Sequence, residues 1–238
     1  MKHLQQHARG LLLSILLVGL IAAASLSNAA AEPGAPAGNP GWEEIGAGSE
    51  PIVLREDRRG DTTTVTIELP AGADTFTSSG MPNTNFSSDS NLRVGFNIAQ
   101  GNGAERIFIF FSLESIPSNA TVTAADLRMH LNASSPPADA NMGLLARFLN
   151  SSWDASTLTW ANYNPSWGAE IGVGQVSGST GWHQASITSA VQEWVSGTRP
   201  NFGMMIMGDE TPQQRERVFT SLNSGNGLHS RLVVTYTT

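Results

Sequence analysis

The sequence predicts an all-β fold, an antiparallel β-sandwich or barrel with one short helix at about residues 187–196. Short apolar runs recur along the chain, separated by clusters of Gly, Asn, Pro or Ser, which is typical of strands joined by turns. Only ITSAVQEWVSG breaks this pattern, because its apolar residues lie three to four positions apart, as in a helix. Many short strands with little helix are typical of sandwiches and barrels.

Residues 1–31 have the parts of a secretory signal. Lys2 and Arg9 precede the apolar run Leu11–Ala24, and small residues follow up to Ala31. This run is shorter than the roughly 20 residues that a membrane-spanning helix needs, and no later stretch is longer. We therefore expect a secreted protein, extracellular or associated with the cell surface, that has no membrane span.

Composition limits the classes of partner. The chain has no cysteine, so apolar burial and not a disulfide framework must hold the fold together. Loss of Lys2 and Arg9 with the signal would take the formal net charge from −7 to −9, and Lys2 is the single lysine. Nucleic-acid binding depends on many Lys and Arg contacts with phosphates, so this composition argues against a nucleic-acid partner.

A flexible linker is predicted between the signal and a folded module. Residues 32–60 are rich in Pro, Gly, Ala and acidic residues, lack apolar periodicity and end in REDRRGD. The module is expected over residues 61–238. It begins with TTTVTIELP, in which apolar residues alternate with Thr or Glu, as in a half-buried strand. Further strands are predicted at NLRVGFNI, RIFIFFSL, TVTAADLRMHL, MGLLARFL, GMMIMG, RERVFTSL and RLVVTYTT.

The helix at 187–196 is expected to lie across the sandwich. Ser189 and Gln192 have the spacing of a capping box. Gly197 follows the last apolar residue and can end the helix in a left-handed conformation.

Five blocks of sequence, in order along the chain, resemble the DNRLRE family of secreted modules. This family is named from disaggregatase-related proteins and includes members classed as a carbohydrate-binding module family. The resemblance covers nearly everything from residue 61 to 238, and its blocks lie at 73–95, 105–131, 151–168, 181–206 and 229–238. It implies a jelly-roll β-sandwich that is not itself catalytic and is often attached to enzymes or surface proteins associated with polysaccharide.

Aromatic side chains are candidates for ligand contact because a sugar ring can stack its apolar face on an indole. Trp167 follows Pro165 in a predicted loop, with Tyr163 nearby, and both could contact a ligand. Trp182 and His183 begin a predicted strand and form a second candidate pair. Three other tryptophans stand at positions of the family motif, where we expect core packing instead: Trp153, Trp160 and Trp194.

Arginines in or beside the predicted strands offer a second chemistry, because a guanidinium can grip carboxylates or hydroxyl pairs. Arg93 and Arg128 are the candidate ligand contacts among them, and strand alternation places Arg93 outward. Together with Arg106 and Arg147 they could form a row across one sheet that suits an acidic polysaccharide, as described for members of the family. The alternative is a solvated surface on which they pair with Glu105, Asp126 or Glu216.

A structural calcium ion is a further hypothesis, since such ions are common in jelly-roll modules of this kind and need clustered oxygen ligands. Asp74, Asp89 and Asp209 lie in loops and are the candidate ligands. No other cofactor is predicted. The sequence also lacks the G-x-S-x-G and H-E-x-x-H motifs, and nothing in it places two carboxylates for glycoside hydrolysis, so we do not expect an enzyme.

Three hypotheses for function follow. The first is a secreted, non-catalytic module that binds extracellular or cell-wall polysaccharide. The second is a structural or surface-associated β-sandwich without a glycan site, and the third, less favoured, is a polysaccharide lyase or glycoside hydrolase. Arginines and loop aromatics that converge on one face would favour the first, whereas an exposed apolar patch or edge strand would favour the second. Protein partners are not indicated by the sequence.

Overall fold

The computed structural model describes residues 50–136, 141–163 and 167–238. These ranges contain twelve β-strands, the α-helix α1 (Thr188–Val195) and a short 3-10 turn at Leu222–Ser224. The predicted signal and the linker up to residue 49 lie outside the described residues. The strands are β1 Ile52–Arg59, β2 Thr62–Pro70, β3 Ala73–Ser78, β4 Asn91–Asn97, β5 Gly103–Phe110, β6 Thr121–Ser135, β7 Met142–Leu149, β8 Trp167–Val176, β9 Gly181–Ser186, β10 Met204–Met207, β11 Arg215–Thr220 and β12 Arg231–Thr237.

The strands pair antiparallel and form the two sheets of a sandwich. The first sheet has the order β1-β2-β12-β6-β11-β4, and β9 also pairs with β6. The second has the order β5-β10-β7-β8, with β3 on β5. The two sheets are joined where the end of β4 pairs with the start of β5. This architecture confirms the predicted all-β sandwich with one short helix.

An apolar core fills the space between the sheets. Both sheets and α1 contribute to it, as the alternation along their strands requires. On β2 and β12, for example, the inward positions are Val65, Ile67, Leu69, Leu232, Val234 and Tyr236. Every strand segment predicted from the sequence overlaps an observed strand.

Three strands were not predicted, namely β1, β3 and β8. Residues 52–59, which the sequence analysis assigned to the linker, form β1 and pair with β2 through a turn at Gly60. Most of the side chains of β1 are exposed, and its Arg, Glu and Asp residues are typical of a charged edge strand. Such a strand lacks the apolar alternation that predicts strands, so ordered structure begins earlier than the expected residue 61.

The helix differs from its prediction at one end. The expected capping box between Ser189 and Gln192 is wrong, because the residue before the helix is Ile187 and no side chain caps it. Gln192 instead accepts a hydrogen bond from the Val122 N–H (2.7 Å) and fixes α1 to the start of β6. Gly197 ends the helix as predicted, with φ of 72°. No helix among the described residues is long and apolar enough to cross a membrane.

Candidate functional site

The outer face of the first sheet carries a polar groove of about 410 Å³. Strands β4, β6 and β11 and the loop after β4 line it. Alternation explains its polarity, because Leu92 and Val94 face the core while Asn91 and Arg93 face outward. We call it the amide groove after the five amide side chains in its lining: Asn91, Asn97, Gln100, Asn132 and Gln214.

The two opposite charges in the amide groove neutralise each other. Arg93 Nη1 donates to Glu216 Oε1 at 2.8 Å, and Asn97 Nδ2 donates to Glu216 Oε2 at 2.9 Å. Burial lowers the pKa of Arg93, but the hydrogen bond and the charge of Glu216 outweigh that effect and leave the pKa raised. The guanidinium of Arg93 is therefore protonated and is held against the carboxylate of Glu216.

Neighbouring groups orient the amides of the groove. Asn132 Nδ2 donates to Asn91 Oδ1 at 3.2 Å, and Asn132 Oδ1 accepts from the Thr220 hydroxyl at 2.8 Å. Gln214 Nε2 donates to Ser135 Oγ at 2.9 Å, while its Oε1 accepts from the Ala99 N–H at 2.8 Å. Because an amide has two N–H donors and two acceptor lone pairs, each of these side chains keeps hydrogen-bonding capacity for a ligand.

A second carboxyl group lies behind Glu216. Glu105 on β5 is fully buried, and both it and Glu216 pair with Gly95 across adjacent strands. Gly95 has φ of 113°, and a Cβ there would clash with the Arg215 carbonyl, so the position requires glycine. Burial, reinforced by the charge of Glu216, raises the pKa of Glu105 to about 8. At neutral pH Glu105 therefore holds a proton.

Trp182 stands beside the amide groove on β9. Its indole packs edge-on against His130 at a centroid distance of 5.4 Å, and His130 Nδ1 lies 3.1 Å from Asn132 Oδ1. The Arg128 guanidinium carbon lies 5.1 Å from the centre of the Trp182 ring. The structure thus places three predicted ligand contacts, Arg93, Arg128 and Trp182, on the outer face of one sheet.

Arg128 belongs to a buried charge cluster on this face. Its Nη1 lies 3.8 Å from Glu68 Oε2, and Arg231 donates to Glu68 Oε1. The alternation along β2 predicts Glu68 on the solvated side of the strand, yet Glu68 is buried because the two arginines supply opposite charge against it. Burial lowers the pKa of Arg128, with the charge of Glu68 opposing that shift.

His183 faces the other way from Trp182, because successive residues of a strand point to opposite sides. It lines a small apolar cavity of about 50 Å³ between β8 and β9, together with Leu127 and Met129. Its Nε2 lies 2.9 Å from the Ser179 carbonyl. Trp182 and His183 therefore point to opposite sides of β9, and their contact with a ligand stays a prediction.

The outer face of the second sheet is covered by the segment after β7. Leu149 and Leu158 pack there with Phe108 and Met205 in a second apolar cluster. Trp153 is half-buried against it and donates its indole N–H to the Phe202 carbonyl at 2.9 Å. The expected core role is confirmed for Trp194, but Trp153 and Trp160 pack outside the main core.

Trp167 and Tyr163 belong to this cover. Trp167 begins β8 and does not stand in a loop, because it pairs with Leu149 and packs on the second cluster. Tyr163 packs edge-on against Phe108 at 4.7 Å and stacks on Trp167 at 6.4 Å, and burial raises its pKa to about 12. Both rings have partners within the fold, and their contact with a ligand stays a prediction.

The same cover encloses Arg106. Its Nε and Nη2 donate to the two Glu210 oxygens at 2.7 and 2.8 Å. Its guanidinium carbon lies 4.6 Å from the centre of the Trp160 ring and 5.2 Å from that of Trp167. Arg106 and Arg147 therefore lie on the second sheet and Arg93 and Arg128 on the first, so the predicted row of four arginines across one sheet is wrong.

Comparison with known proteins identifies a protein family that this chain matches. Residues 65–236 match the model of carbohydrate-binding module family 96, a range that includes the amide groove and Trp182. The chain belongs to this family. Two relatives are the tRNA nuclease WapA of Bacillus subtilis strain 168 and the tRNA(Glu)-specific nuclease WapA of Bacillus subtilis subsp. natto strain BEST195. Each is 29% identical over 181 residues, which cover 71% of this chain and 7% of the relative.

The three predicted calcium ligands lie in separate parts of this family 96 module, and the loop position expected for Asp74 is wrong, because Asp74 lies in β3 while Asp89 and Asp209 lie in loops. Asp74 accepts from the Ser221 hydroxyl and the Leu222 N–H, and burial raises its pKa despite these bonds. Asp89 accepts from the Asn91 N–H, and Asp209 accepts from its neighbours in the loop before β11. Within the described ranges no group of three His, Asp or Glu side chains is placed to hold a metal ion. Calcium binding stays a prediction.

The amides of the groove were not predicted from the sequence. The outward positions of β4 follow from alternation, so Asn91 and Asn97 could have been found by extending the face of Arg93. Asn132 and Gln214 could not, because their place beside β4 depends on the pairing of β11 with both β4 and β6. The pairing of Arg93 with Glu216 was among the alternatives left open, and it is the one observed.

Proposed function

We propose that this chain is a secreted, non-catalytic module that binds extracellular or cell-wall polysaccharide, with the amide groove and Trp182 as its binding surface. The observation that carries the proposal is the groove itself, an open cleft of about 410 Å³ lined mainly by polar residues, in a member of a carbohydrate-binding family. Its volume lies in the range of about 300–1,000 Å³ typical of ligand sites.

The chemistry of the surface suits sugars. Amide side chains donate and accept hydrogen bonds at once, as sugar hydroxyls do, and those of the groove are oriented before a ligand arrives. The half-buried Trp182 adds an indole beside them on which a pyranose can stack. Secretion is supported by the charged, apolar and small-residue order of residues 1–31.

The proposal assigns binding and no bond cleavage. Within the groove, Arg93 and Asn97 hold Glu216, and Glu105 lies buried behind it, so neither carboxyl is presented to a glycosidic bond. The two relatives are named as tRNA nucleases, but this chain matches only 7% of each of them, and that match does not support tRNA cleavage by this chain. Incubation of the protein with each bound polysaccharide should release no new reducing ends.

Affinity electrophoresis tests the binding surface. The purified protein is run through native gels that contain neutral and acidic polysaccharides, with calcium or with a chelator. We expect at least one polysaccharide to retard it, and Trp182→Ala or Gln214→Ala to weaken the retardation about tenfold or more, which corresponds to about 1.4 kcal/mol.

Gln213→Ala is the matched control, because Gln213 directly precedes Gln214 but does not line the groove. Its side chain donates hydrogen bonds to Asp209 and Thr211 instead. It should bind like the wild type. Retardation by no polysaccharide of a broad panel would refute the proposal. Equal losses for Gln213→Ala and Gln214→Ala would remove the groove as the site.

A further inference from the structure

We infer that the amide groove selects uncharged, hydroxyl-rich glycan chains and discriminates against glycans that carry carboxylates. This inference rests on the proposed function and names the substrate class of that same site. It departs from the expectation that an outward row of arginines would suit an acidic polysaccharide.

The charges that face the groove are cancelled within the fold. Arg93 is the cation in its lining, and Glu216 occupies its Nη1 at 2.8 Å. A ligand carboxylate near Arg93 would lie close to the negative charge of Glu216, and displacing Glu216, whose side chain is 5% exposed, would leave that charge buried without its partner. Asp89 adds a further negative charge close enough to act on Arg93. Among the described residues that line the groove, an anionic sugar would therefore meet no positive charge without a negative partner.

The buried carboxyl behind the groove completes this balance. Glu105 faces Glu216 across Gly95, receives Asn102 Nδ2 on one oxygen at 2.9 Å and has Arg93 as its nearby cation. With Glu105 protonated, Arg93 and Glu216 form a neutral pair. If Glu105 ionises, the local charge becomes more negative, so neither state favours an acidic ligand.

Beside the groove, the positive charge of Arg128 is also offset by nearby negative charges. Arg128, against the Trp182 indole, lies near Glu68 at 3.8 Å, and Asp126 on the same strand adds a negative charge that acts on it. What remains for recognition is therefore hydrogen bonding by amides and stacking on an indole. Both interactions match hydroxyl-rich rings and depend little on salt, whereas charge pairing at an exposed site weakens as salt rises.

Matched polysaccharides test the inference. Hydroxyethyl-cellulose and carboxymethyl-cellulose share a backbone and differ in their carboxylates, and methyl-esterified and de-esterified galacturonan form a second pair. In affinity gels, we expect the purified protein to bind the neutral member of at least one pair about tenfold or more tightly than its acidic partner. Binding of the neutral chain should be unchanged between low salt and 0.5 M NaCl, a concentration of the order that screens exposed charges within a few ångströms.

A double variant tests the charge argument directly. Glu105→Gln/Glu216→Gln keeps the shape of both side chains and leaves Arg93 as the uncompensated charge, whereas a change of Glu216 alone would let Glu105 ionise in its place. With its fold checked by thermal melting, the double variant should gain binding of the acidic partner about tenfold over the wild type. Absence of that gain in a folded double variant would contradict the inference.

The outcomes separate the two proposals. Preference for neutral chains supports both. Equal or tighter binding of the acidic partner, lost as salt rises, would overturn this inference and leave polysaccharide binding intact. No binding to either member of any pair, or to the broader panel, would overturn both.

Discussion

The two outer faces of the sandwich each carry an arginine–glutamate pair and at least one tryptophan, yet they differ in what lies over the pair. On the second sheet, Arg106 binds Glu210 between the indoles of Trp160 and Trp167. On the first sheet, Arg93 binds Glu216 at the floor of an open groove. Residue type alone therefore does not distinguish a packed surface from a binding surface. The two faces differ because, among the described residues, a chain segment folds over one of them and not over the other.

The covering segment changes the role of the sheet beneath it. Phe108 and Met205 are fully buried on the covered face, although alternation points them away from the main core. In the amide groove, the corresponding outward positions hold amides, which can stay hydrated until a ligand binds. We expect the covered face to contribute mainly to stability and the open face mainly to recognition.

The largest expected effect is the loss of stability caused by a substitution on the covered face. Phe108→Ala removes the centre of the second cluster and should lower the free energy of unfolding by about 3–5 kcal/mol. The counterpart on the open face, Val218→Ala, should cost about 1–2 kcal/mol. Urea unfolding followed by tryptophan fluorescence measures both. Similar losses at the two positions would contradict the proposed difference between the faces.

The next effect is a pH dependence of stability caused by Glu105, which lies behind the amide groove of the open face. The pKa of Glu105 rises from 4.5 to about 8 on folding, so between these values the folded protein holds a proton that the unfolded chain releases. The stability contributed by this group is therefore present below about pH 4.5 and is lost as the pH rises toward 8. Glu105→Gln, which mimics the protonated carboxyl, should remove the loss.

Thermal and urea unfolding at pH 5 and pH 9 measure this effect. Relative to the wild type, Glu105→Gln should gain stability on the order of 4 kcal/mol between the two pH values. A difference between variant and wild type that is the same at both pH values would show that Glu105 ionises normally in the fold.

A smaller effect compares the two arginines. Lysine cannot form the paired hydrogen bonds that Arg106 makes with Glu210, and it has no planar group to place over the indoles of Trp160 and Trp167, so Arg106→Lys should cost about 1–2 kcal/mol. Arg93 contacts Glu216 through a single nitrogen, and Arg93→Lys should cost less than about 1 kcal/mol. Equal losses in urea unfolding would mean that the cover adds nothing to the Arg106 contact.

The sequence predicts local patterns in this protein better than it predicts which faces are covered. Alternation identifies the strands and places Arg93 outward, and the helix end at Gly197 follows from local chemistry. The roles of Trp153, Trp160 and Trp167 depend on how the segment after β7 folds back over β5 and β10. That path is set by contacts between residues far apart in the chain, which periodicity does not encode.

The candidate site shows the same division. Arg93, Arg128 and Trp182 were predicted one at a time, and the structure places them on one sheet face. The groove between them arises from the order β4-β11-β6, which brings Asn91, Gln214 and Asn132 together from three distant segments. Its neutral charge depends on Glu105 behind Gly95, a contact across strands that no local motif indicates.

The smallest expected effect is a change in tryptophan fluorescence, which shows which indole contacts the ligand. Bound polysaccharide should change the emission of a tryptophan that it contacts, because the indole moves from a wet to a drier environment. Trp182 lies beside the open groove, whereas Trp167 is packed with Tyr163 and Arg106 on the covered face. We therefore expect the change to persist in Trp167→Phe and to disappear in Trp182→Phe, whose exchange of one aromatic ring for another should cost less than about 1.5 kcal/mol of stability. The opposite result would move the binding surface to the covered face and would support the original expectation for Trp167.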